Sequence, residues 1–379
     1  MSTITALAPV LFSAAHQVAA EPFGAIDALN ANFDNKGVAK GDKVKIPYVP
    51  AAANADFSPA NVTPAGSDIT AQATEVEITK SRKNSMVLTG EQIRSLENGG
   101  NWQEWAGQWA QSAMRALRNE AEQDACTAIK KGASRAYGSA GVTPFATSLT
   151  ELNQVRKILR DNGAPMQDLQ LVVDTSAELN MLNLGIVQQA YAAGSDQERR
   201  SGTLRPQLGF NIRASAGIQG HTNSAAASYV LNVTDSIPIG TTGLVTKTGT
   251  ATTSVGDIFH IANDTGNLYV ANALDATTNT KLITIGRPGT RAVYNDNATI
   301  TFKGAYTPNF AFERNAVVGV MRPPVMPANA NIKQTLVSDK FGMTYLFCEI
   351  SQYGQVSWEL HLAWGFKVIQ PEFVAILIG

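Results

Sequence analysis

The residues able to do chemistry are few and scattered. Four histidines, His16, His221, His260 and His361, lie far apart. None falls in a spacing such as His-Glu-x-x-His, which sets two imidazoles one helical turn apart on the same ion. They read as surface or core histidines. Cys126 and Cys348 belong to no Cys-x-x-Cys pair and read as buried free thiols in a reducing compartment, with a disulfide between them left open. Asp264-Thr-Gly-Asn carries a triplet that paired-carboxylate hydrolysis uses, but its flanks differ and no second copy supplies the partner acid, so it reads as a β-turn. Neither a phosphate-cradling Gly-x-x-x-x-Gly-Lys loop, a Gly-x-Ser-x-Gly elbow nor a Gly-x-Gly-x-x-Gly fingerprint occurs. Arg199, Arg200 and Arg205 sit in a charged, glycine-containing loop. They could grip a phosphate, but an exposed loop making ion pairs between subunits is the reading taken. Asn61, Asn232 and Asn297 open nominal glycosylation sequons, which a Thr/Asn-rich chain produces by chance. The expectation is therefore no catalytic residue, no cofactor and no metal.

Composition narrows the classes further. The 379 residues can form two or three domains with a sizeable core. Thirty basic against thirty-one acidic residues leaves a net charge of −1. That balance argues against a protein whose main work is neutralising phosphates. Charged residues are only 16% of the chain while 44% is hydrophobic, so the chain is not disordered. Its surface suits contacts with copies of itself, because interface cores are depleted of charge. The first sixteen residues have an apolar middle but no Lys or Arg before Lys36, and Pro9 interrupts the run. They read as an amphipathic arm rather than a signal peptide. Apolar runs fall short of a membrane span, and no membrane association is expected.

The elements that would position any site read as follows. Lys43 to Pro50 alternates, with Val44, Ile46 and Tyr48 on one face, and Thr74 to Lys80 answers it with Val76 and Ile78. These strands form a long β-hairpin whose Ala/Asn/Pro-rich tip spans roughly residues 50 to 72. A tip this long buries too little to hold one shape by itself, so it is free or ordered by a neighbouring molecule, and a flexible lid reads equally well. From Asn101 to Lys131 the chain lacks proline, and Trp102, Trp105, Trp109, Ala113 and Leu117 recur near helical spacing. Arg115, Arg118, Glu120 and Glu122 are expected outward, the tryptophans in a core, and Gly138 to Gly141 in a loop. Ser148-Leu-Thr-Glu151 reads as a capping box. It opens a helix with a Leu152, Val155, Ile158, Leu159 stripe that Gly163 and Pro165 stop. Leu169 to Asp174 is a strand and Ser176 to Leu182 a short helix, so this part is mixed α/β. From His221 to Phe302 short alternating runs recur every eight to twelve residues in a Thr/Gly/Asn-rich background. That pattern predicts a self-contained barrel or sandwich set into the main domain. Phe310 to Met321 and Leu360 to Gly379 are rich in β-branched and aromatic residues and read as strands, the last packed into a sheet.

Three segments carry a resemblance: Arg200-Ser-Gly-Thr with Leu208-Gly-Phe-Asn-Ile, Phe312-Glu-Arg-Asn-Ala through Pro324, and Gly365-Phe-Lys-Val-Ile-Gln-Pro-Glu. In wording and joint order the chain resembles the major capsid proteins of tailed bacteriophages, in the subgroup from short-tailed phages that carries an inserted β-domain. The resemblance implies an α+β fold of N-terminal arm (1–40), extended hairpin loop (41–82), spine helix and peripheral region (83–141), and central α/β domain (142–220 and 304–379). An inserted barrel-like domain would occupy 221–303. It implies a structural subunit, assembled in the bacterial host cytoplasm into pentamers and hexamers of an icosahedral virion capsid. The partners implied are sister subunits, a scaffolding protein, a portal protein and non-specifically packaged double-stranded DNA. The arm and hairpin would reach neighbouring subunits, and Lys45, Tyr48, Phe57, Arg82, Arg199, Arg200 and Arg205 are the expected contacts between copies. The runner-up is the shell protein of a bacterial encapsulating nanocompartment.

Overall fold

The computed structural model describes residues 3–20, 24–34, 36–48, 72–188, 204, 206–275, 281–327, 331–339 and 342–379. The chain begins with helices α1 (Thr3–Ala20) and α2 (Ala25–Ala28), strand β1 (Asn30–Phe33), the paired strands β2 (Lys43–Tyr48) and β3 (Gln72–Glu77), and β4 (Lys80–Thr89). Helices α3 (Gly90–Asn98) and α4 (Trp102–Gly132) follow, then β5 (Arg135–Gly138), α5 (Thr150–Asp161), β6 (Leu169–Val173), α6 (Thr175–Asn183), α7 (Gly185–Gln188) and β7 (Phe210–Ala214). A β-only stretch contains β8 (Tyr229–Leu231), β9 (Ser236–Ile237), β10 (Gly243–Lys247), β11 (Ile258–Ile261), β12 (Asp264–Asp275), β13 (Lys281–Ile285), β14 (Tyr294–Asn295) and β15 (Thr299–Phe302). The chain closes with β16 (Pro308–Glu313), β17 (Val317–Arg322), β18 (Ile332–Ser338), β19 (Thr344–Gln352), β20 (Gln355–Val368) and β21 (Val374–Ile378). The fold is α+β.

Helix α4 organises two sheets. Its 31 residues make a rod of about 45 Å at ~1.5 Å per residue. The first half lies on the sheet β1-β17-β20-β19-β18, in which β4 flanks the other edge of β20. Side chains alternate along β20, so Trp358, Leu360, Leu362 and Trp364 meet Ala106, Ala110, Ala113, Met114, Leu117 and Ala121 of α4 in one core. The small side chains let helix and sheet approach closely. Trp102, Trp105 and Trp109 gather around Trp358 with ring centroids 4.9, 6.4 and 5.9 Å away. The tryptophan stripe is packing, as expected.

The second half of α4 covers a central sheet in the order β5-β21-β16-β6-β7. Ala125, Cys126 and Ile129 pack there with Phe310, Phe312, Val374 and Ile376. On the opposite face lie Leu152, Val155, Ile158 and Leu159 of α5 with Ala177 and Met181 of α6. Strands β16 and β21 are buried along their whole length because helices cover both faces.

The β-only stretch closes into a ring. Antiparallel pairings run β8–β10, β10–β13, β13–β12, β12–β11, β11–β15 and β15–β8. Tyr229, Leu244, Phe259, Tyr269, Ile283 and Ile300 fill its interior. The ring has its own core but is joined to the central sheet, because β12 also pairs β5 through Leu268↔Ala136 and Tyr269↔Arg135.

Several expectations need correction. The Gly138–Gly141 loop is preceded by the unforeseen strand β5, which ends at Gly138 with φ of +117°. No capping box forms at Ser148: the Ser148 Oγ accepts from Thr150 N at 3.3 Å, and Leu149 caps α5 without a side-chain bond. The turn near Asp264 lies one step earlier, at Ala262-Asn263 with Asn263 at φ +69°. Asp264 instead opens β12, and its carboxylate accepts from Asn267 Nδ2 and the Tyr294 hydroxyl. The N-terminal arm does not wait for a neighbour either. Leu7, Leu11, Ala14, Ala15 and Val18 are buried in the core that α4 and β20 share. Their spacing gives α1 one apolar stripe, which its own chain satisfies. The hairpin tip, 49–71, lies outside the described residues.

The hairpin base seats where β20 has no side chain. Val76 and Ile78 pack on Val318, Val320 and Ala363, and a Cβ at Gly365 would stand 2.0 Å from the Glu77 carbonyl oxygen. Gly365→Ala should cost about 1–3 kcal/mol, the range for overpacking a tight site. Urea unfolding measures it, and unchanged stability would mean that the hairpin base does not seat on β20.

Candidate assembly surface

The polar side chains of α4 tie separate elements to one rod. Arg118 and Glu122, expected to face outward, are 1% and 3% exposed. Glu122 Oε1 accepts from Ala25 N at 2.5 Å and Ser215 Oγ at 2.6 Å, and Oε2 accepts from Ile26 N at 2.8 Å. One carboxylate thus satisfies the free N–H groups that open α2 and fixes the chain just beyond β7. Arg118 donates from Nη1 to the Val18 carbonyl at 3.2 Å and from Nη2 to Asp27 Oδ1 at 3.2 Å. It thereby holds the end of α1 and the middle of α2. A sequence signal existed: Arg118, Glu122 and Cys126 stand four residues apart, in one row along the helix. That row runs beside the alanine stripe into the apolar Cys126 and Ile129.

The neighbouring row is half-exposed. Lys80 Nζ donates to Asp124 at 2.9 Å and Glu120 at 3.2 Å, Arg82 Nε to Glu120 at 2.9 Å, and Trp364 Nε1 to Asp124 at 2.8 Å. Such partly exposed pairs orient β4 against α4 more than they stabilise it.

The expected contacts between copies are spread across the molecule. Lys45 is exposed on β2, Tyr48 ends that strand, and Arg82 sits on β4 with its side chain 54% exposed. Phe57, Arg199, Arg200 and Arg205 lie outside the described residues. The β2–β3 pair forms a two-stranded sheet separate from both large sheets. Lys43, Lys45 and Pro47 are exposed on it and Val44 and Ile46 half-covered.

Two of the four histidines, His221 and His361, are paired with carboxylates. His221 Nε2 lies 2.7 Å from Asp257 Oδ1, and Ser224 bonds to the other carboxylate oxygen. Ser224 therefore serves the carboxylate, so no hydroxyl is activated by the imidazole. Burial works to raise the Asp257 pKa. The hydrogen bonds from His221, Ser224 and the backbone N–H groups of Ser254 and Ser224 together hold it below the usual value. The joint sits at the neck of the ring: His221 and Tyr306 exchange backbone bonds at 2.7 and 3.2 Å, and Tyr306 Oη donates to the Gly256 carbonyl at 2.6 Å. His361 pairs with Glu359 at 3.1 Å inside the sheet, where burial lowers its pKa. His16 lies on α1 and bonds the Phe12 carbonyl at 2.8 Å, and His260 lies on β11. Among the described residues no three His, Cys, Asp or Glu side chains are placed to share a metal ion, and no helix is long and apolar enough to cross a membrane. Cys126 and Cys348 are free and buried, and burial pushes the Cys348 thiol up to about 11 and Cys126 higher still. Neither is a ready thiolate.

No protein-family model matches the chain, and no curated protein matches its sequence. Its backbone overlaps solved structures. One from Mycobacterium phage Che8 shares 13% identity over 89% of this chain and 85% of that one, with a TM-score of 0.47. The capsid of cyanophage P-SCSP1u shares 11% over 94% and 89%, at 0.46. A virus-like particle from Pyrococcus furiosus shares 10% over 100% and 100%, also at 0.46. Overlaps of this size leave the function to rest on the chain's own elements.

Glu122→Ala strands three donors in a closed site, and unsatisfied buried groups cost about 1–3 kcal/mol each before water relieves them. The expected net loss is about 2–4 kcal/mol, with Glu122→Gln closer to the parent because an amide oxygen still accepts. Hydrogen exchange at Ala25 and Ile26 should accelerate in the alanine variant. Protection equal to the parent would show that the carboxylate does not hold α2.

Proposed function

We propose that this chain is a structural subunit that assembles with copies of itself into a closed shell, the icosahedral capsid of a tailed phage. The observation that carries the reading is the β2–β3 hairpin. It leaves the body as a two-stranded ribbon paired to neither sheet, and a lone two-strand ribbon is marginal in water. A sister subunit would supply the missing surface. The α4 rod, spanning two cores, gives the body the stiffness that a repeating lateral contact needs. A nearly neutral chain with 16% charged residues favours broad self-association over a charged ligand. The phage-coat wording of the closing strands, noted above, favours a coat over another kind of polymer.

In this reading the subunits form pentamers and hexamers, gathered by a scaffolding protein around a portal protein in the host cytoplasm, and enclose double-stranded DNA. The subunit is structural rather than catalytic. Residues 221–303 are a domain inserted into the central one, with the His221–Asp257–Tyr306 joint at its neck. Lys45, Tyr48, Phe57, Arg82, Arg199, Arg200 and Arg205 make contacts between copies. Subunit interfaces of obligate shells bury on the order of 2,000–5,000 Å². Because α1 is already seated on its own chain, the hairpin and the charged loop of Arg199, Arg200 and Arg205 carry most of this burden.

Expression of the chain with and without a scaffolding protein, followed by negative-stain microscopy, should show closed particles tens of nanometres across. A monodisperse monomer or dimer under every condition would defeat the reading. Particles that enclose a protein cargo and no nucleic acid would favour the nanocompartment alternative.

Removing residues 50–72 should leave a subunit with the parent's thermal transition that no longer closes shells. Normal particles from that deletion would take the hairpin out of assembly.

A further inference from the structure

The junction of ring and central sheet holds a buried cation with two of its donor nitrogens unpaired among the described residues. Arg135 opens β5, opposite Tyr269 of β12 on one side and Ala375 of β21 on the other. It is 5% exposed. Its Nη2 donates to Asn267 Oδ1, but Nε and Nη1 have no hydrogen-bond partner among the described residues. An arginine keeps its charge in any protein environment. Unsatisfied donors on a buried charge are costly, and in a native fold they point to an ion or water that belongs there.

The space beside them is polar and basic. Arg135 lines a cavity of about 340 Å³ with Lys157 of α5, Arg291, Gln154, Asp161 and Asn267. Three cations thus face one carboxylate. The nearby Asp264, bonded by Asn267 Nδ2 and the Tyr294 hydroxyl, offsets part of this positive charge from outside the cavity lining. Arg291 is held in place by its backbone N–H donating to Tyr269 Oη at 2.9 Å and its Nη2 donating to the Asp161 carbonyl at 3.4 Å. Burial lowers the Arg135 pKa and repulsion from Arg291 adds to that, against Tyr269, Asp161 and Asp264, which raise it. An anion in the cavity would relieve both.

We propose that this cavity binds a phosphate-type oxyanion, held by Lys157 and Arg291 at the sides over the buried charge of Arg135. Planar guanidinium forks suit such oxygens, and the bonds are charge-assisted. The bound anion bridges α5 and β5 of the central sheet to β12 and the segment before β14, so it locks the strand pairing through which the ring joins the body. Binding is thus a stabiliser of the junction, whether or not the chain forms shells. The oxyanion can come from free phosphate or from a phosphodiester of nucleic acid, and the test separates the two.

The full-length chain is titrated with inorganic phosphate at constant ionic strength, with chloride as balance, and its thermal unfolding is followed. A parallel arm uses a short single-stranded oligonucleotide lacking terminal phosphates. The expected result is a saturable rise in Tm, as for any ligand that binds only the folded state. Lys157→Gln and Arg291→Gln should each weaken the apparent affinity about tenfold, the loss of one charge-assisted contact. Lys36→Gln, on an exposed residue elsewhere, should not. A variant-sensitive rise with phosphate identifies the free ion as the source, and one with the oligonucleotide alone identifies the phosphodiester. Arg135→Gln can fail to fold, so the two outer variants decide. No rise in either arm, a rise that chloride reproduces, or a rise unchanged in both outer variants overturns the proposal.

Discussion

A charged pair buried on one helix constrains the whole arrangement. Glu122 and Arg118 are enclosed on α4, where an unsatisfied carboxylate or guanidinium would cost more than most single contacts contribute. Their bonding is therefore compulsory, and its partners are backbone groups of α1, α2 and the chain beyond β7. A hydrophobic stripe alone would let α2 slide along α4, because apolar burial is non-directional. The carboxylate does not permit that slide, since two N–H groups and one hydroxyl must meet two oxygens. With α2 placed, β1 follows directly and pairs in parallel with β17. The sheet beneath α4 thus takes its register at this edge from the helix above it.

The same logic acts at the neck of the ring. His221, Asp257, Ser224 and Tyr306 close a polar knot where the chain leaves the central part and where it returns. Strand pairing between β12 and β5 adds a second attachment. Two attachments restrict rotation of the ring in a way that one linker would not. The basic cavity around Arg135 lies at the second, so charge at that point bears on how firmly the ring is held.

The hairpin stands apart from these constraints. Its base is fixed by Val76 and Ile78 against β17 and β20, with Gly365 allowing the backbones to touch. Among the described residues no strand of either large sheet pairs with β2 or β3. A stiff body with one ribbon extending from it suits a part that repeats. The amphipathic α1 shows the contrast, because its apolar stripe finds a complementary surface within the chain and is used up there.

Local pattern determined much of this protein in advance. Period-two alternation marked the β2–β3 pair, β-branched and aromatic runs marked the closing strands, and helical spacing marked α4 and α5, because these signals depend only on near neighbours. What the sequence could not decide was which partner each polar group would meet. Glu122 looks like any surface glutamate until Ala25, Ile26 and Ser215 arrive from about a hundred residues away. Ser148 and Glu151 have capping-box spacing, yet the chain enters α5 at another angle and the box does not form. Strand β5 is four residues long and too short to show a period; only pairing with β21 and β12 makes it a strand. Burial and hydrogen bonding across long sequence separations are properties of the packed chain, so tertiary structure alone decided the joints, while the elements they join were written locally.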